Sequence, residues 1–227
     1  ANGMMPQGIH LCLCTPEAPT GALGVDGHPA RDDSPASFFP PIPLPRRMWA
    51  GGELEFFDAL RIGDEAKRAS RIADVTVKSG STGTLCFVAV NHEVTTSRGL
   101  AVRERQDIVY REMTTTLAAA PAKAPPPPVA QHRESHVSDP VLLFRYSALT
   151  FNGHRIHYDR DYVTKVEGYP GLIFHGPLQA SFIVELAARL RREVYEVGNT
   201  RDPAESYKAF RGRMPTADAL LRNRGLK

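Results

Sequence analysis

Phe151-Asn152-Gly153-His154-Arg155-Ile156-His157-Tyr158-Asp159, read on to His175-Gly176-Pro177-Leu178, is the stretch that decides how this chain is understood. A polar loop bearing histidines leads to a glycine-containing helix start. Pro177 is expected at the first helical position, where its missing N–H costs nothing. Over 178–192, Ala180, Ile183, Val184, Ala187 and Leu190 recur at helical spacing, and Phe182 and Leu186 widen the stripe until little of the first three turns is polar. A helix apolar nearly all round is expected to be enclosed by other structure. Arg189, Arg191 and Arg192 complement the negative end of its dipole. An imidazole able to carry a proton and a set of free backbone N–H groups thus fall within one short stretch.

Working outward, residues 141–146 read as an extended segment or the start of a short helix, and 171–174 as a short approach to His175. Beyond the helix only 207–211 could begin a strand, and 215–227 reads as a basic, partly helical tail. In the first half, 53–57 is a short strand and 61–64 a turn. Residues 67–77 and 84–95 are rich in Val, Ile, Thr and Phe, with the hairpin loop 79–83 between them, and 99–111 supplies a further strand. A small antiparallel sheet is expected between 49 and 112. Four parts follow. Residues 1–46 form a Pro/Gly-rich arm, wrapping or disordered, in which the proline run around 40–45 could alternatively serve as a docking ligand. Residues 47–116 form the sheet, 117–136 a linker with four prolines at 125–128, and 137–227 the unit carrying the loop and helix.

The 227 residues suffice for one or two domains with a real core. A balance of 28 basic against 25 acidic side chains is too even to argue for nucleic acid. No apolar run approaches the roughly 20 residues of a membrane helix, and the first residues lack the basic-then-apolar order of a signal peptide. Three cysteines suit a reducing compartment. Cys12 and Cys14 lack a second pair, so no zinc site is expected, and Cys86 reads as core.

The stretch from Tyr146 to Leu190 resembles the MaoC-type hydratase/dehydratase family. That family's loop places Asp, then Asn-Pro, then an aliphatic residue and His, with His five residues after Asp; its helix begins His-Gly. Ile156-His157 and His175-Gly176 match, and the spacing is kept. Asn152 stands where the family has Asp, and His154-Arg155 replaces Asn-Pro. Together with Ser147-Ala148-Leu149-Thr150-Phe151, Arg46-Arg47-Met48-Trp49-Ala50-Gly51-Gly52 and Arg105-Gln106-Asp107-Ile108-Val109-Tyr110-Arg111, the pattern is similar to the family's two-domain subgroup. That subgroup takes in mesaconyl-CoA and itaconyl-CoA hydratases and 3-hydroxyacyl-thioester dehydratases.

The resemblance implies an α+β double hot-dog, an antiparallel sheet wrapped around a central helix. The chain is expected to carry it incompletely at both ends, because its first unit shows no central helix and its second shows little sheet. Such a gap would expose the 178–190 helix. The implied activity is reversible hydration of an α,β-unsaturated acyl-thioester. A non-catalytic acyl-CoA-binding remnant and a thioesterase using Asp159 or Glu185 are the alternatives.

The implied roles are specific. His157 is the general base toward water, unless it is a surface loop histidine. Asn152 cannot take a proton but can hold the water. Gly176 offers its N–H to the thioester oxygen, whether or not Gly176-Pro177 is also a helix-entry turn. Arg155, His154, His175 and Pro177 are assigned to substrate binding. Arg155 reaches either a substrate carboxylate or, the favoured reading, Asp159; His175 is expected to orient the loop through a backbone hydrogen bond, and Tyr158 to pack. The implied partner is an acyl-CoA substrate, with CoA as part of that substrate rather than a cofactor. No metal, nucleic acid or membrane is expected. A homodimer is implied, in the cytoplasm or, for a eukaryotic protein, the mitochondrion.

Overall fold

Directly after Pro45 the chain enters a four-stranded antiparallel sheet. Its strands are β1 (Arg46–Phe56), β2 (Lys67–Gly80), β3 (Gly83–Thr96) and β4 (Gly99–Arg111), in the order β1-β4-β3-β2. The computed structural model describes residues 3–32, 34, 36–80, 83–112, 132–198, 200–218 and 221. The first strand is longer than expected because Arg46, Arg47 and Met48 pair with Arg111, Tyr110 and Val109. Its register shifts between Trp49 and Gly51, a bulge that re-aims the strand where Trp49 meets the site described below.

The arm is ordered over its described residues. Ile42 and Leu44 join Cys86, Val88, Val90 and Tyr110 in one buried cluster, so these two side chains are core rather than a free docking ligand. Met5, Ile9 and Leu13 pack on a second cluster of Leu60, Val94, Ala101 and Val102. Alternation along β3 explains both: one face of a period-two strand is apolar and the arm covers it. The Arg31 guanidinium donates to the carbonyls of Ile42, Leu44 and Pro45, which satisfies backbone groups that the prolines leave without a ladder.

Among the described residues, four α-helices follow the sheet: α1 (Pro140–Leu149), α2 (Arg160–Lys165), α3 (Gly176–Leu190) and α4 (Pro203–Arg211). Asp139, Asp159 and Asp202 cap α1, α2 and α4 by accepting backbone N–H groups of Leu142, Tyr162 and Ala204 at 2.8, 2.9 and 2.6 Å. The segment 141–146 is therefore helical, as the Asp-Pro pair before it signals. Residues 207–211 lie in α4 and do not start a strand. Asp202-Pro203 opens that helix, and Gly212, at φ 74°, closes it in the left-handed region.

Among the described residues no strand follows Arg111. The wrapping sheet that the second unit would need is accordingly missing there, and α3 is not enclosed: of its residues only Leu178 is buried, and Ile183 is 69% exposed. Most of the expected linker, through 131, and most of the tail beyond 218 lie outside the described residues.

The described residues fall into two compact units. The first, within 1–126 and 136–181, holds the arm, the sheet, α1, α2 and the first turns of α3. In the second, within 127–135 and 182–227, Arg189 pairs with Glu134 and lies over the Phe210 ring, which meets His132. Among the described residues no helix is long and apolar enough to cross a membrane.

Candidate active site

The loop after α1 is built by its own side chains. Phe151 adopts φ 51° and turns the chain. Asn152 donates its N–H to the Ser147 carbonyl at 2.8 Å, while its Oδ1 accepts the N–H of His154 at 3.0 Å. Tyr158, expected only to pack, also donates its hydroxyl to the Gly153 carbonyl at 2.7 Å. A single 3-10 turn, Arg155–His157, then carries Ile156 and His157 inward, where both are buried.

His157 Nδ1 lies 2.8 Å from the carbonyl oxygen of Ile173. A carbonyl only accepts, so Nδ1 carries the proton and Nε2 keeps its lone pair. The ring stacks on His175 at 3.6 Å with 17° between planes. His175, 1% exposed, is hydrogen-bonded through Nε2 to Ser147 Oγ at 2.9 Å. The ring is thus held by a side-chain hydroxyl on α1 rather than by the backbone group expected. Burial pushes His157 down to about 4, against the opposing hydrogen bond to Ile173, and His175 down to about 3. Both rings are neutral at pH 7.

Gly176 is the first residue of α3 and Pro177 the second, one place later than expected. As a leading N–H of the helix, that of Gly176 has no partner within it. A Cβ at position 176 would lie 2.3 Å from Trp49 Cε3, so only glycine lets the indole of β1 close over the helix start. Since His175 precedes Gly176 and stacks on His157, the imidazole and the free N–H share one place in the molecule.

Arg155 is held by Asp159, with Nη2 and Nε at 2.7 and 3.0 Å from Oδ2, and its Nη1 reaches the Val25 carbonyl at 3.0 Å. His154 is buried, its edge toward His157 at 5.5 Å between centroids, and burial drives its pKa down to about 2.

The arm brings further side chains that no local pattern announced. The Arg155 N–H donates to the Asp26 carbonyl at 2.8 Å, and the backbones of Gly27 and Gly153 approach so closely that a Cβ on Gly27 would lie 1.9 Å from the Gly153 oxygen. His28 then stacks on His154 at 3.9 Å, with Asp26 Oδ2 2.9 Å from His28 Nδ1. The only available hint was Asp26-Gly27-His28, a turn with glycine at φ 84° between two polar side chains.

Donor atoms of Asp26, His28 and His154 lie within 4.8 Å of one another, a grouping that could hold a metal. The rings of the two histidines are tilted 36° to one another, 3.9 Å apart between centroids. The Asp26–His28 hydrogen bond already accounts for the close approach.

A cavity of about 480 Å³ opens beside these residues, lined among others by Asp26, His28, His154, Arg31 and Arg47. Arg46, also on its wall, is paired with Glu167 at 2.9 Å, both side chains under a tenth exposed. Arg31 serves carbonyls, and Arg47 lies over the Phe39 ring. Neither has a carboxylate partner among the described residues.

A mesaconyl-C(4)-CoA hydratase of Chloroflexus aurantiacus is 48% identical over 188 residues, covering 82% of this chain and 65% of its own length. The mitochondrial hydroxyacyl-thioester dehydratase type 2 of Schizosaccharomyces pombe is 26% identical, over 80% of this chain and 66% of its own. The chain thus spans just under two thirds of the length of these curated relatives. Among solved structures, a MaoC-like dehydratase from Phytophthora capsici aligns with 76% of this chain and 60% of its own at 15% identity and a TM-score of 0.43. The family model described as hydroxyacyl-thioester dehydratase type 2 matches residues 8–208, so it takes in arm, sheet, loop and helix alike. On this match the chain belongs to the hydroxyacyl-thioester dehydratase type 2 family.

Proposed function

We propose that this protein adds water reversibly to the double bond of an α,β-unsaturated acyl-CoA. The single observation carrying this reading is His157, its Nδ1 bonded to the Ile173 carbonyl and its ring stacked on His175, the residue that leads straight into Gly176 at the start of α3. His157 Nε2 takes a proton from water as oxygen bonds the β-carbon. The thioester oxygen, gaining enolate character, is held by the Gly176 N–H at the positive end of α3. Asn152 has its Oδ1 occupied by the loop, which leaves its NH₂ to donate to the water.

Arg155 is spent on Asp159, so recognition of a negative group on the substrate passes to Arg31 and Arg47 on the cavity wall. A dicarboxylic acyl group such as mesaconyl supplies one, and the relative at 48% identity supports that choice. Dehydration of a 3-hydroxyacyl-thioester is the same reaction reversed, as the name of the fungal relative has it. Our reading further includes a homodimer, with the open face of α3 around Ile183 as ground for it, and a reducing compartment such as the cytoplasm, which three free cysteines support.

Incubation with crotonyl-CoA and mesaconyl-CoA tests the proposal. Hydrated product, seen as loss of enoyl-thioester absorbance, and its abolition in a folded His157→Ala variant are expected. Release of free CoA, binding without turnover, or unchanged turnover in the variant each overturns it.

A further inference from the structure

The loop has lost its carboxylate at position 152, and the arm brings one back. We propose that Asp26 and His28 form a second acid–base pair of this site, with His28 delivering the proton that goes to the α-carbon. The inference rests on the hydratase reading above.

Three observations carry it. Asp26 grips His28 twice, Oδ1 accepting the His28 N–H at 3.0 Å and Oδ2 facing Nδ1 at 2.9 Å, which fixes the ring and leaves Nε2 uncommitted. That ring lies 3.9 Å from His154, which stands at right angles to His157 at 5.5 Å, so the pair sits one ring away from the proposed base. Both Asp26 and His28 line the cavity that Arg31 and Arg47 also face. The docking is enforced by backbone, through Asp26 C=O with Arg155 N–H and the Gly27–Gly153 approach, so it does not depend on the His28 side chain.

A carboxylate behind an imidazole steadies its protonated form, the arrangement by which Asp–His pairs serve in acyl transfer. His157 has only a carbonyl behind it. Burial lowers the His28 pKa overall, while Asp26 works the other way and Arg47 and Arg31 oppose it. Burial also works against the Asp26 charge, yet hydrogen bonds from His28 hold that carboxyl down to about 2.

The step balances. His157 Nε2 takes one proton from water while oxygen bonds the β-carbon, and the electron pair of the double bond moves into the enolate. The enolate then collapses as His28, entering the step as the imidazolium with its Nδ1–H on Asp26, gives its Nε2 proton to the α-carbon. One water has been added, and the proton on His157 returns to His28 through solvent.

The test uses the whole chain with crotonyl-CoA and mesaconyl-CoA across pH, for the unsubstituted protein, His28→Gln and Asp26→Asn. For His28→Gln we expect kcat to fall about 100-fold or more, KM to stay within about threefold, and the alkaline fall of kcat/KM to vanish. For Asp26→Asn we expect a smaller loss with that limb moved to lower pH, because the imidazolium has lost its counter-charge. Turnover is expected to be indifferent to EDTA; dependence on added zinc overturns the pair in favour of a metal held by Asp26, His28 and His154. An unaltered rate and pH profile in His28→Gln overturns the pair while leaving the hydratase reading intact. No turnover in the unsubstituted chain ends both. Should the variants not fold, the ring ¹⁵N signals of His28 in the unsubstituted protein decide: they shift when butyryl-CoA binds, and their indifference overturns the proposal.

Discussion

His157 and His175 lie face to face at 3.6 Å, 17° from parallel, and the arrangement requires both to be uncharged. Each is buried, and the hydrogen bonds they make, to the Ile173 carbonyl and the Ser147 hydroxyl, are ones a neutral imidazole satisfies. Protonating either would place a cation against a second ring in a dry setting.

This stack predicts how stability changes with pH. Folded values of about 4 and 3 against 6.5 in the unfolded chain mean that, as pH falls, the unfolded chain takes up protons the folded one refuses. The contribution is complete above about pH 6.5 and is lost as pH falls through 4 and then 3. Thermal unfolding followed from pH 7.5 to 4 should show a falling midpoint, and His175→Phe should flatten the slope. An identical slope in that variant would remove the stack as its source.

Ser147→Ala removes the hydroxyl from His175 Nε2, and Nδ1 has no hydrogen-bond partner to compensate. A buried imidazole would then stand unsatisfied at both nitrogens, at a cost of about 1–3 kcal/mol. Chemical denaturation measures this; hydration should slow as well, because His157 loses the wall that fixes its ring.

Gly176→Ala drives a methyl into Trp49 Cε3. Relief needs the indole or the helix start to move, costing about 1–3 kcal/mol and misaligning the N–H proposed to hold the thioester oxygen, a further loss of about 100-fold in kcat. In the double variant with Trp49→Leu the stability loss should largely disappear. Equal costs in the two backgrounds would mean that the clash is not the cause.

Gly27→Ala meets two obstacles at once, a φ of 84° and the Gly153 oxygen. It should lift the arm from the loop, destabilising by more than about 1 kcal/mol and opening the arm to proteolysis. Faster cleavage within residues 20–32 together with reduced turnover would show that the two segments are coupled; an unaltered digest would show that they are not.

The local elements were legible where one physical signal dominates. Segments rich in Val, Ile, Thr and Phe predicted β2, β3 and the hairpin between them, β4 and the last part of β1 were expected as well, and period-3.6 apolar residues predicted α3. The loop and helix start were legible through spacing and a few residue identities, since Ile156-His157 and His175-Gly176 keep the family's pattern while Asn152 departs from it. Helix α4 was missed, although Asp202-Pro203 and Gly212 mark its two ends; an apolar-aromatic run outweighed the caps that decide so short a helix.

What the chain's order alone determined was therefore the set of strands, the one long apolar helix and the histidine-bearing loop, because each depends on neighbours a few residues apart. Only the tertiary structure decided that Trp49 closes over Gly176, that His157 rests on His175, and that Asp26 and His28 reach His154 from more than a hundred residues away. Those meetings depend on backbone approach at Gly27, Gly153 and Gly176 and on burial against the sheet. No spacing along the chain records such distances.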